Sequence, residues 1–469
     1  MQADLAVILL YFMILIGIGM RSLKHIKTET DYLVAGKRLG FSLYVPAMAA
    51  VVLGGASTLG GASLGYKHGI SGMWLVFMIG VGVIALGAFF ANALSKLEVV
   101  SISELLGKRF GSSARSLSAV VMAVYDLMVA VTATIAMGAL TATMFQWDPK
   151  LAILVGGAVV VFYTVIGGMW AVTLTDVIQF WIMTVGLLLV LLPAALLRVG
   201  GFAGMQQHLD GSFFNLTSIG GKTIFSYFLL FVPGMMIGQD IWQRALTAKN
   251  AAVLRYGTIA AGVYCIVYAL MGAIVGMAAR VLFPQLSDSQ QALPQLAAAI
   301  LPNGVRGLLF AAVAAAIMST ASGTLLASST ILVNDLLVPY FMRNKQLDDT
   351  TAILWTRTAT LVLGAVAIVI SIALQDIIVA LDVAYALLSG ALLLPIIAAL
   401  FWKRVQSKVV MTSILLSTVT VIITLAVEGI TSLNAIIYGL LASILTMAVG
   451  VIIVREPKQS LEGSEREAM

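Results

Sequence analysis

Seven hydroxyl side chains are concentrated in an uncharged stretch of sixteen residues, AAIMSTASGTLLASST at positions 315–330. At helical spacing, Ala316, Ser319 and Thr320 share one face, which Gly323 extends by a turn. A small monovalent cation that has lost its water needs oxygen ligands, as the harder divalent ions do. Hydroxyls, and carbonyls freed where Ser or Thr bonds back to the preceding turn, can supply them. The competing interpretation is that these hydroxyls only hold neighbouring helices together, and the local pattern does not decide between the two.

Aspartates inside apolar stretches are the second candidate group, because a carboxylate in a membrane is costly and usually functional. They are Asp126, Asp176, Asp240 and Asp382. Asp240 precedes Arg244 by one helical turn, so an ion pair between these two is the simplest interpretation. Asp126 is either a protonated buried carboxyl or part of an aqueous path. Asp176 is the strongest functional candidate, with the hydroxyls of 315–330 as its expected partners.

Two apolar stretches that should position these groups are interrupted by glycine and proline. One reads VPAMAAVVLGGASTLGGASLGYKHG at 45–69, and the other reads FLLFVPGMMIGQDIWQR at 228–244. In lipid, freed backbone groups are tolerated only where they face protein, water or an ion. Any single glycine is equally explained by close helix packing. The pair, placed five apolar segments apart, favours two broken helices at equivalent positions of an inverted-repeat transporter.

The whole composition is that of a polytopic membrane protein. Of 469 residues, 61% are hydrophobic and 10% are charged, and the mean hydropathy is +1.04. The single cysteine, Cys265, excludes disulfides, and three scattered histidines argue against a histidine metal cluster. Neither a phosphate-binding P-loop nor an HExxH motif is present. We therefore expect no enzyme activity, no nucleic-acid partner and a chain that is embedded in the bilayer.

Thirteen apolar segments alternate with short polar loops. They are 4–21, 41–65, 71–94, 116–144, 151–170, 174–198, 223–243, 252–281, 305–338, 353–374, 377–401, 409–427 and 432–454. Twenty-one of the 27 Lys and Arg residues fall in alternate loops, beginning with 21–40 and ending with the C-terminal tail. The positive-inside rule then predicts an extracellular N-terminus and a cytoplasmic C-terminus, which requires an odd number of spans. We expect an all-α, multi-pass protein of the cell membrane with about thirteen transmembrane helices.

The expected domain organisation follows from the paired breaks. Its parts are a first helix with a cytoplasmic loop (1–40), a ten-helix transport core (41–401), two additional helices (402–454) and a cytoplasmic tail (455–469). The core divides into a first repeat, 41–198, and an inverted second repeat, 223–401. Each repeat begins with a broken helix, as in transporters built from inverted repeats.

Several ordered motifs resemble the sodium:solute symporter family. They are MST-x-S in the ninth segment, GGMWAVTLTDVIQF at 167–180, GQDIWQRALTAKN at 238–250, the glycine-rich second segment ending in GYKHG, and DYLVAGKRLG before it. The resemblance covers the second to the ninth segment in order, and several motifs together are more specific than any one of them. It implies a LeuT-type fold of inverted repeats, coupling to Na+, and transport of a small organic solute.

In that family one sodium ion lies between the first and the eighth core helix, which are the second and the ninth segment here. The resemblance therefore implies a sodium site formed by Ala50 and Leu53, through their carbonyl oxygens, and by Ala316, Ser319 and Thr320. Some members hold a second sodium with an aspartate and extra serines. The matching residues are Asp176, Ser319 and Ser322. Gly323 stands where a further serine is expected, so the second site is left open.

Solute recognition is expected beside the two breaks. The candidate residues are Gly54, Gly55, Ala56, Ser57, Thr58, Phe231, Gly234, Met235 and Gln239. The family's sugar carriers have polar and aromatic side chains at positions where this chain has alanine, serine, glycine and methionine. A sugar whose hydroxyls lack partners would bind poorly. Small residues and exposed helix-end amides suit a carboxylate instead, so we expect a monocarboxylate or an amino acid.

The favoured function is a sodium-coupled secondary active symporter that imports its solute by alternating access. External sodium joins the second and ninth segments and pre-forms the solute pocket, which couples the two sites. Two alternatives remain, a proton-coupled carrier of the same fold that uses Asp176 or Asp126, and a sodium-coupled sugar carrier. An intramembrane hydrolase is disfavoured because no histidine falls clearly within a core segment, and two broken helices fit a carrier better than a channel. The expected partners are Na+, one small organic solute and the lipid bilayer, with a monomer as the working oligomeric state.

Overall fold

The computed structural model describes residues 2–22, 37–97, 99–341, 349–402 and 405–453, and for 19–22, 166–168, 171, 341 and 349 it describes the backbone only. The main helices are α1 Gln2–Ser22, α2 Phe41–Val52, α3 Gly61–His68, α4 Trp74–Ala85, α5 Ile102–Phe110, α6 Ser112–Phe145, α7 Pro149–Met183, α8 Leu192–Arg198, α9 Gly201–His208, α10 Gly221–Ile237, α11 Gln239–Ala245, α12 Ala251–Leu282, α13 Ala292–Ile300, α14 Val305–Ile331, α15 Asp349–Leu374, α16 Ile377–Phe401, α17 Ser407–Glu428 and α18 Asn434–Ile453. The predicted tail, 455–469, lies outside the described residues.

Short turns of other helical types join or extend these helices. Wider π-helical turns occur at Ala56–Gly60, Leu86–Phe90, Thr184–Leu191 and Leu332–Leu337, 3-10 turns at Gly69–Met73, Gly211–Phe214 and Ser289–Gln291, and short α-helical pieces at Ala91–Leu94 and Val338–Phe341. Apart from one isolated β-bridge between Leu39 and Ala248, the secondary structure of the described residues is helical. The chain is therefore all-α over the described part, as predicted.

Many of these helices are long and apolar enough to cross a bilayer. In the described part of the chain nine helical stretches meet that condition, and a tenth does so when α10 and α11, bent by 45° at their junction, are taken together. Three shorter apolar helices accompany them, Gln2–Ile18, Phe41–Val52 and Pro149–Val165. The sequence predicts a boundary between two apolar segments at 171–173, but the helix is not interrupted there, since α7 continues to Met183. No proline is present at these positions to break the helical hydrogen bonds.

The first interruption lies at Leu53 and Gly54, after α2. The N–H of Leu53 donates to the carbonyl of Ala49 at 3.1 Å, and helical bonding resumes where the N–H of Thr58 donates to the carbonyl of Gly54 at 3.0 Å. An ideal Cβ on Gly54 would lie 2.3 Å from Oγ1 of Thr320. Both interpretations of the glycines therefore apply here, since this glycine opens the helix and also lets α14 approach the opening.

The second interruption lies at Gly238. α10 continues through Pro233 to Ile237, and Gly238 then adopts an extended conformation (φ −67°, ψ 136°) before α11 begins. Gly234 has a packing role instead, because an ideal Cβ there would lie 2.3 Å from Cδ1 of Tyr385. Of Pro233, Gly234 and Gly238, only Gly238 therefore separates two helices.

The chain reverses direction between α3 and α4. Gly69 has a φ of +62°, a conformation that residues with a side chain rarely adopt. An ideal Cβ on Gly72 would lie 2.4 Å from the backbone nitrogen of Gly65, so the two arms touch through their backbones. The continuous helical stretch Ala56–Leu94 is therefore a hairpin, which agrees with the separation of the second and third apolar segments.

The hydroxyl-rich helix α14 lies at the centre of the bundle. It packs against α1, α2, α6, α7 and α15. Within its most apolar stretch of 18 residues, 94% is buried. The corresponding share is only 28% for α15 and for α18, which present exposed leucine, isoleucine and valine side chains to the outside. Because α14 is surrounded by protein, its hydroxyls can serve a polar site without contact with lipid.

The connecting segments gather at two ends of the bundle. At one end the N–H of Leu39 donates to the carbonyl of Thr247 at 3.0 Å. At the other end the amide of Gln290 donates to the carbonyl of Gln375 at 3.2 Å. Each of these pairs joins two loops that the charge pattern placed on the same side of the membrane. The loops rich in Lys and Arg thus contact one another at one end of the bundle.

Candidate functional site

Two hydroxyl groups of α14 take up carbonyl oxygens at the C-terminal end of α2. The last carbonyls of a helix have no intrahelical N–H to accept from. Ser319 Oγ donates to the carbonyl of Ala50 at 2.6 Å, and Thr320 Oγ1 donates to the carbonyl of Val51 at 2.6 Å. Both side chains are buried. The broken helix and the hydroxyl-rich helix are therefore joined at the break by two direct hydrogen bonds.

The same packing brings several predicted sodium ligands together. Ser319 Oγ lies 2.6 Å from the carbonyl oxygen of Ala50 and 3.2 Å from that of Ala316. Thr320 follows on α14, and Leu53 is fully buried within the break, where the backbone has left the helical conformation. Neutral carbonyl and hydroxyl oxygens of this kind suit a dehydrated monovalent cation. The residues present therefore fit the predicted ion.

Asp176 is paired with a guanidinium. Its Oδ2 lies 2.9 Å from Nη2 of Arg244, and the two side chains are 0% and 2% exposed. The prediction that Arg244 pairs with Asp240 on its own helix is wrong. Arg244 instead reaches from α11 to α7, where it also contacts the sulfur of Met169. A buried charge requires a partner, and tertiary packing supplies Arg244 with one on another helix.

The Arg244 guanidinium also lies against α14. An ideal Cβ on Gly323 would lie 3.3 Å from Nη2 of Arg244 and 2.8 Å from a methyl carbon of Val51. Ser322 Oγ turns back to the carbonyl of Ser319 at 3.2 Å. At the predicted second sodium site, the carboxylate of Asp176 is therefore already paired with the positive charge of Arg244. A serine in place of Gly323 would crowd the Arg244 guanidinium.

A small cavity of about 20 Å³ lies beside the first break, with room for about one water molecule. Five of the predicted solute-binding residues line it, Gly54, Gly55, Ala56, Ser57 and Met235. Asp240, Thr320 and Tyr385 add polar groups to its wall. Both broken helices contribute, together with α6, α14 and α16. The cavity thus lies where the two interrupted helices meet, and a solute can enter only after the surrounding helices move apart.

The other predicted solute-binding residues contact protein elsewhere. The hydroxyl of Thr58 lies 2.8 Å from that of Tyr268 on α12. Phe231 is fully buried, and its ring centroid lies 5.1 Å from that of Tyr385. Gly234 makes room for the same tyrosine. None of these three residues lines the cavity, but Phe231 and Gly234 pack against Tyr385, which does.

Gln239, the last of the predicted solute-binding residues, ties α11 to the segment before α5. Its Oε1 accepts from the N–H of Ile102 at 2.8 Å, and its Nε2 donates to the carbonyl of Val100 at 3.1 Å. Ser101, between them, donates to Oδ2 of Asp335 at 2.6 Å. A polar cluster therefore connects the second broken helix with the turn that follows α14.

Arg115 completes this cluster from the start of α6. Its Nη2 lies 2.8 Å from Oδ1 of Asp335, which is fully buried, whereas Arg115 is 30% exposed. An open cavity of about 490 Å³ lies beside the pair. We call Ser101, Arg115, Gln239 and Asp335 the latch. It joins the segment before α5, the start of α6, α11 and the turn after α14 at the end where the loops rich in Lys and Arg lie.

A second polar cluster, at the central cavity, was only partly visible in the sequence. The hydroxyl of Tyr125 donates to Oδ1 of Asp240 at 3.1 Å and lies 3.0 Å from the hydroxyl of Tyr385. Asp126 is fully buried beside the main chain of Asp240, and no side chain of the described residues donates to its oxygens. The Tyr-Asp pair in an otherwise apolar helix is the signal that could have identified this cluster.

The chain is similar to known transporters over most of its length. The sequence model of the sodium:solute symporter family matches residues 32–417. The high-affinity proline transporter PutP of Bacillus subtilis (strain 168) is 28% identical over 95% of this chain and 97% of its own length. The sodium/glucose cotransporter of Vibrio parahaemolyticus is 26% identical over 86% of this chain and 82% of its own length.

Solved structures show the same fold. A Na+-coupled sialic acid symporter in a substrate-bound, outward-open state superimposes with a TM-score of 0.80 at 17% identity, covering 97% of this chain and 99% of that one. Mhp1, a nucleobase-cation-symport-1 family transporter in a closed conformation, superimposes with a TM-score of 0.59 at 15% identity, covering 89% of this chain and 93% of that one. The family match spans more than four fifths of the sequence, and the matched relatives are transporters rather than enzymes. The chain belongs to the sodium:solute symporter family.

Proposed function

We propose that this symporter uses the sodium gradient to import a small organic solute with a carboxylate group, a monocarboxylate or an amino acid, by alternating access. The observation that carries the proposal is the pair of hydrogen bonds from Ser319 and Thr320 to the last carbonyls of α2. A cation among these oxygens would hold the broken helix against α14. The shape of the break, and with it the solute cavity, would then depend on whether sodium is bound.

The hydrogen-bonded arrangement explains how such a site can release its ion. With sodium bound, the hydroxyl hydrogen of Ser319 turns away, and its oxygen joins the carbonyls of Ala50 and Ala316 around the ion. When the ion leaves, the hydroxyl returns to the carbonyl, as it stands in this structure. The oxygens have a partner in both states, so departure leaves no buried polar group unpaired. A weak, reversible site suits an ion that must leave on the other side.

The turn that follows the break can receive a carboxylate. The main-chain N–H groups of Gly55, Ala56 and Ser57 precede the first helical bond, which Thr58 makes. A helix leaves such first-turn amides without internal acceptors, and they attract anions. All three of these residues line the cavity. We propose that the solute carboxylate binds there.

We propose that one sodium ion accompanies each solute. The geometry gives little support to a second ion at Asp176 and Ser322, because Arg244 already neutralises that carboxylate. The buried ion pair then serves to join α7, α11 and α14. One positive charge moved through 100 mV contributes about 2.3 kcal/mol. At about 1.36 kcal/mol per decade, that would sustain roughly fifty-fold accumulation.

We also propose the finer architecture expected from the sequence. The nine long helical stretches of the described residues and the bent pair α10–α11 make ten spans. The hairpin Ala56–Leu94 counts as two spans when it is divided at Gly69, and α1 and Pro149–Val165 add two more, which gives thirteen. The breaks lie in the first helices of two five-helix repeats, 41–198 and 223–401, which together form the core. The first helix and its loop precede this core, and two added helices and a tail follow it. The N-terminus is outside and the C-terminus is cytoplasmic, with the latch at the cytoplasmic end.

The two alternatives can be compared with the geometry. Proton coupling through Asp176 is weakened by its ion pair with Arg244, whereas Asp126 has no such partner and keeps this alternative open. A sugar would need more hydrogen-bonding side chains than a cavity walled largely by glycine, alanine, valine and isoleucine offers. The carboxylate proposal therefore remains the better supported one.

The deciding experiment is uptake by purified protein in proteoliposomes. Labelled amino acids, monocarboxylates and sugars are offered with an inward sodium gradient, with potassium in place of sodium, and with a pH gradient alone. Sodium-dependent uptake of an amino acid or a monocarboxylate is expected. Uptake that follows the pH gradient and ignores sodium would replace the proposal by proton coupling through Asp126, and accumulation of sugars alone would overturn the proposed solute class.

A further inference from the structure

We infer that the solute carries a protonated amino group and that Asp240 and Asp126 receive it. This inference rests on the proposed function, because it names the solute class of the same cavity. It selects an amino acid over a simple monocarboxylate. The observations behind it are the placement of the two carboxylates, the absence of a basic side chain among the described residues that line the cavity, and the presence of helix-end amides in the same cavity wall.

Asp240 presents its carboxylate to the cavity from the start of α11. It is 3% exposed and lines the cavity next to the break at Gly238. One oxygen, Oδ1, accepts from the hydroxyl of Tyr125 at 3.1 Å. The main chain of Ile241 also contacts this carboxylate. A carboxylate has about four acceptor positions, so these contacts leave part of its capacity unused. The remaining positions can accept from a donor in the cavity.

Asp126 provides a second carboxylate on the adjoining helix. Both of its oxygens are buried, and no side chain of the described residues donates to them, although the main chain of Asp240 lies beside them. On α6 it precedes Val129 and Ala133 by three and seven residues, which places the three on one face, and both of those residues line the cavity. Asp126 therefore lies one turn beyond the cavity wall, facing the same way. A donor at that end of the cavity can reach it when the cavity opens.

Arg244 is the basic side chain that acts on Asp240, and in the described part of the chain it is already paired with another acid. Arg244 lies one turn after Asp240, but its guanidinium is held by Asp176 at 2.9 Å. The described residues that line the cavity include no lysine, arginine or histidine. Two neighbouring carboxylates in a low-dielectric interior need a cation or a proton. An ammonium group brings positive charge and three donors without any acceptor, which matches a site made of acceptors.

The ring of Tyr385 favours the same ligand. It lines the cavity, and its hydroxyl lies 3.0 Å from that of Tyr125. Aromatic faces attract cationic groups that approach them closely. The cavity wall thus contains both an acidic and an aromatic side chain.

An amino acid would span the two breaks. Its carboxylate would meet the amides of 55–57 after the first break, and its ammonium group would meet Asp240 after the second. Both sets of groups line one small cavity. Binding would therefore draw the two interrupted helices together. A 2-hydroxy acid of the same shape carries no positive charge, so it would leave both carboxylates uncompensated and should bind more weakly.

The test compares matched pairs of solutes on wild-type protein. L-alanine is paired with L-lactate and L-phenylalanine with L-3-phenyllactate, within a panel of all common amino acids, simple amines and monocarboxylates. Thermal stabilisation of the purified protein in sodium measures binding, and proteoliposome uptake measures transport. We expect at least one amino acid to bind about tenfold or more tightly than its hydroxy-acid counterpart. A panel in which no ammonium-bearing solute stabilises the protein or is taken up overturns the inference.

The outcomes separate this inference from the proposed function. Sodium-dependent uptake of monocarboxylates, with amino acids excluded, would overturn the amino-group inference and leave the sodium symporter intact. Uptake of an amino acid that does not depend on sodium would overturn the sodium symporter and leave the amino-group inference intact. Each result therefore bears on one proposal without removing the other.

Variants then assign the residues. Asp240→Asn and Asp126→Asn should each weaken amino-acid binding about ten- to a hundredfold, with the sodium half-activation concentration little changed. Asp382→Asn is the control, because this acid on α16 has one buried oxygen without a partner but does not line the cavity. Unchanged amino-acid affinity in both test variants would refute the assignment. If either variant fails to fold, the wild-type solute pairs still decide the inference.

Discussion

The hydroxyl oxygen of Ser319 lies 2.6 Å from the carbonyl oxygen of Ala50, although 269 residues separate them in the chain. The carbonyl belongs to the last turn of an interrupted helix, where no backbone N–H can reach it. The hydroxyl therefore satisfies a buried acceptor and, in the proposed sodium site, would provide an oxygen to the ion. Helix packing and the proposed ion binding, which were rival explanations of the serine and threonine cluster, would therefore use the same atoms.

Removal of the Ser319 hydroxyl should weaken sodium activation. We expect Ser319→Ala to raise the half-activating sodium concentration about tenfold, equivalent to about 1.4 kcal/mol, because one oxygen ligand is lost. Uptake is measured over a range of sodium concentrations at equal amounts of protein. Ser329→Ala is the control, since this buried serine lies ten residues further along α14, where it donates to the carbonyl of Leu326 and accepts from Thr360 on α15. Equal sodium dependence in both variants would remove Ser319 from the ion site.

A side chain at Gly54 should block transport. An ideal Cβ there would lie 2.3 Å from the Thr320 hydroxyl oxygen, closer than real side chains approach, so Gly54→Ala must push α14 away from the break. We expect uptake to fall at least tenfold while the protein is still inserted in the membrane. At Gly60, the nearest atom would lie 3.5 Å away, so Gly60→Ala should be tolerated. Full uptake by the Gly54 variant would show that α14 and the break need not touch.

Breaking the Asp176–Arg244 pair should destabilise the fold. Each charge is buried, so Asp176→Asn or Arg244→Gln alone should cost about 3–5 kcal/mol. The double variant should cost less than the sum, because neither charge is left alone. Unfolding of the detergent-purified protein measures these changes. Lys108→Ala, at an exposed ion pair with Glu104, should change stability by less than about 1 kcal/mol, and a similar effect in all variants would contradict the prediction.

Loosening the latch should open the bundle at one end. Asp335→Asn removes the charge that holds Arg115 at 2.8 Å, so the conformation with that end open should become more populated. In a Cys265→Ala background, a cysteine at cavity residue 129 should react several-fold faster with a membrane-impermeant maleimide from the face rich in Lys and Arg. Asp376→Asn, at the start of α16, is the control at the opposite end. Equal labelling rates in both variants would mean that the latch does not limit access.

The sequence alone determined the class of protein and placed much of the candidate site on particular helices. Long apolar segments can be satisfied only by membrane helices, and short-range helical spacing places Ser319 and Thr320 on one face whatever surrounds them. The order of several motifs indicated the family, which the comparisons confirm. The glycines at the first break were identified from the sequence because they are local features of the backbone.

Tertiary structure decided which buried charges meet. Arg244 has an aspartate one turn away on its own helix, yet it binds Asp176 on another helix, since the direction of a long side chain depends on how the helices cross. Because Arg244 pairs with Asp176, Asp240 has no ion-pair partner on its own helix and lines the central cavity beside Asp126. Gly238, rather than Pro233, forms the second break. A single chain can show which residues are able to interact, but partners distant in sequence are set by the packing of whole helices against one another.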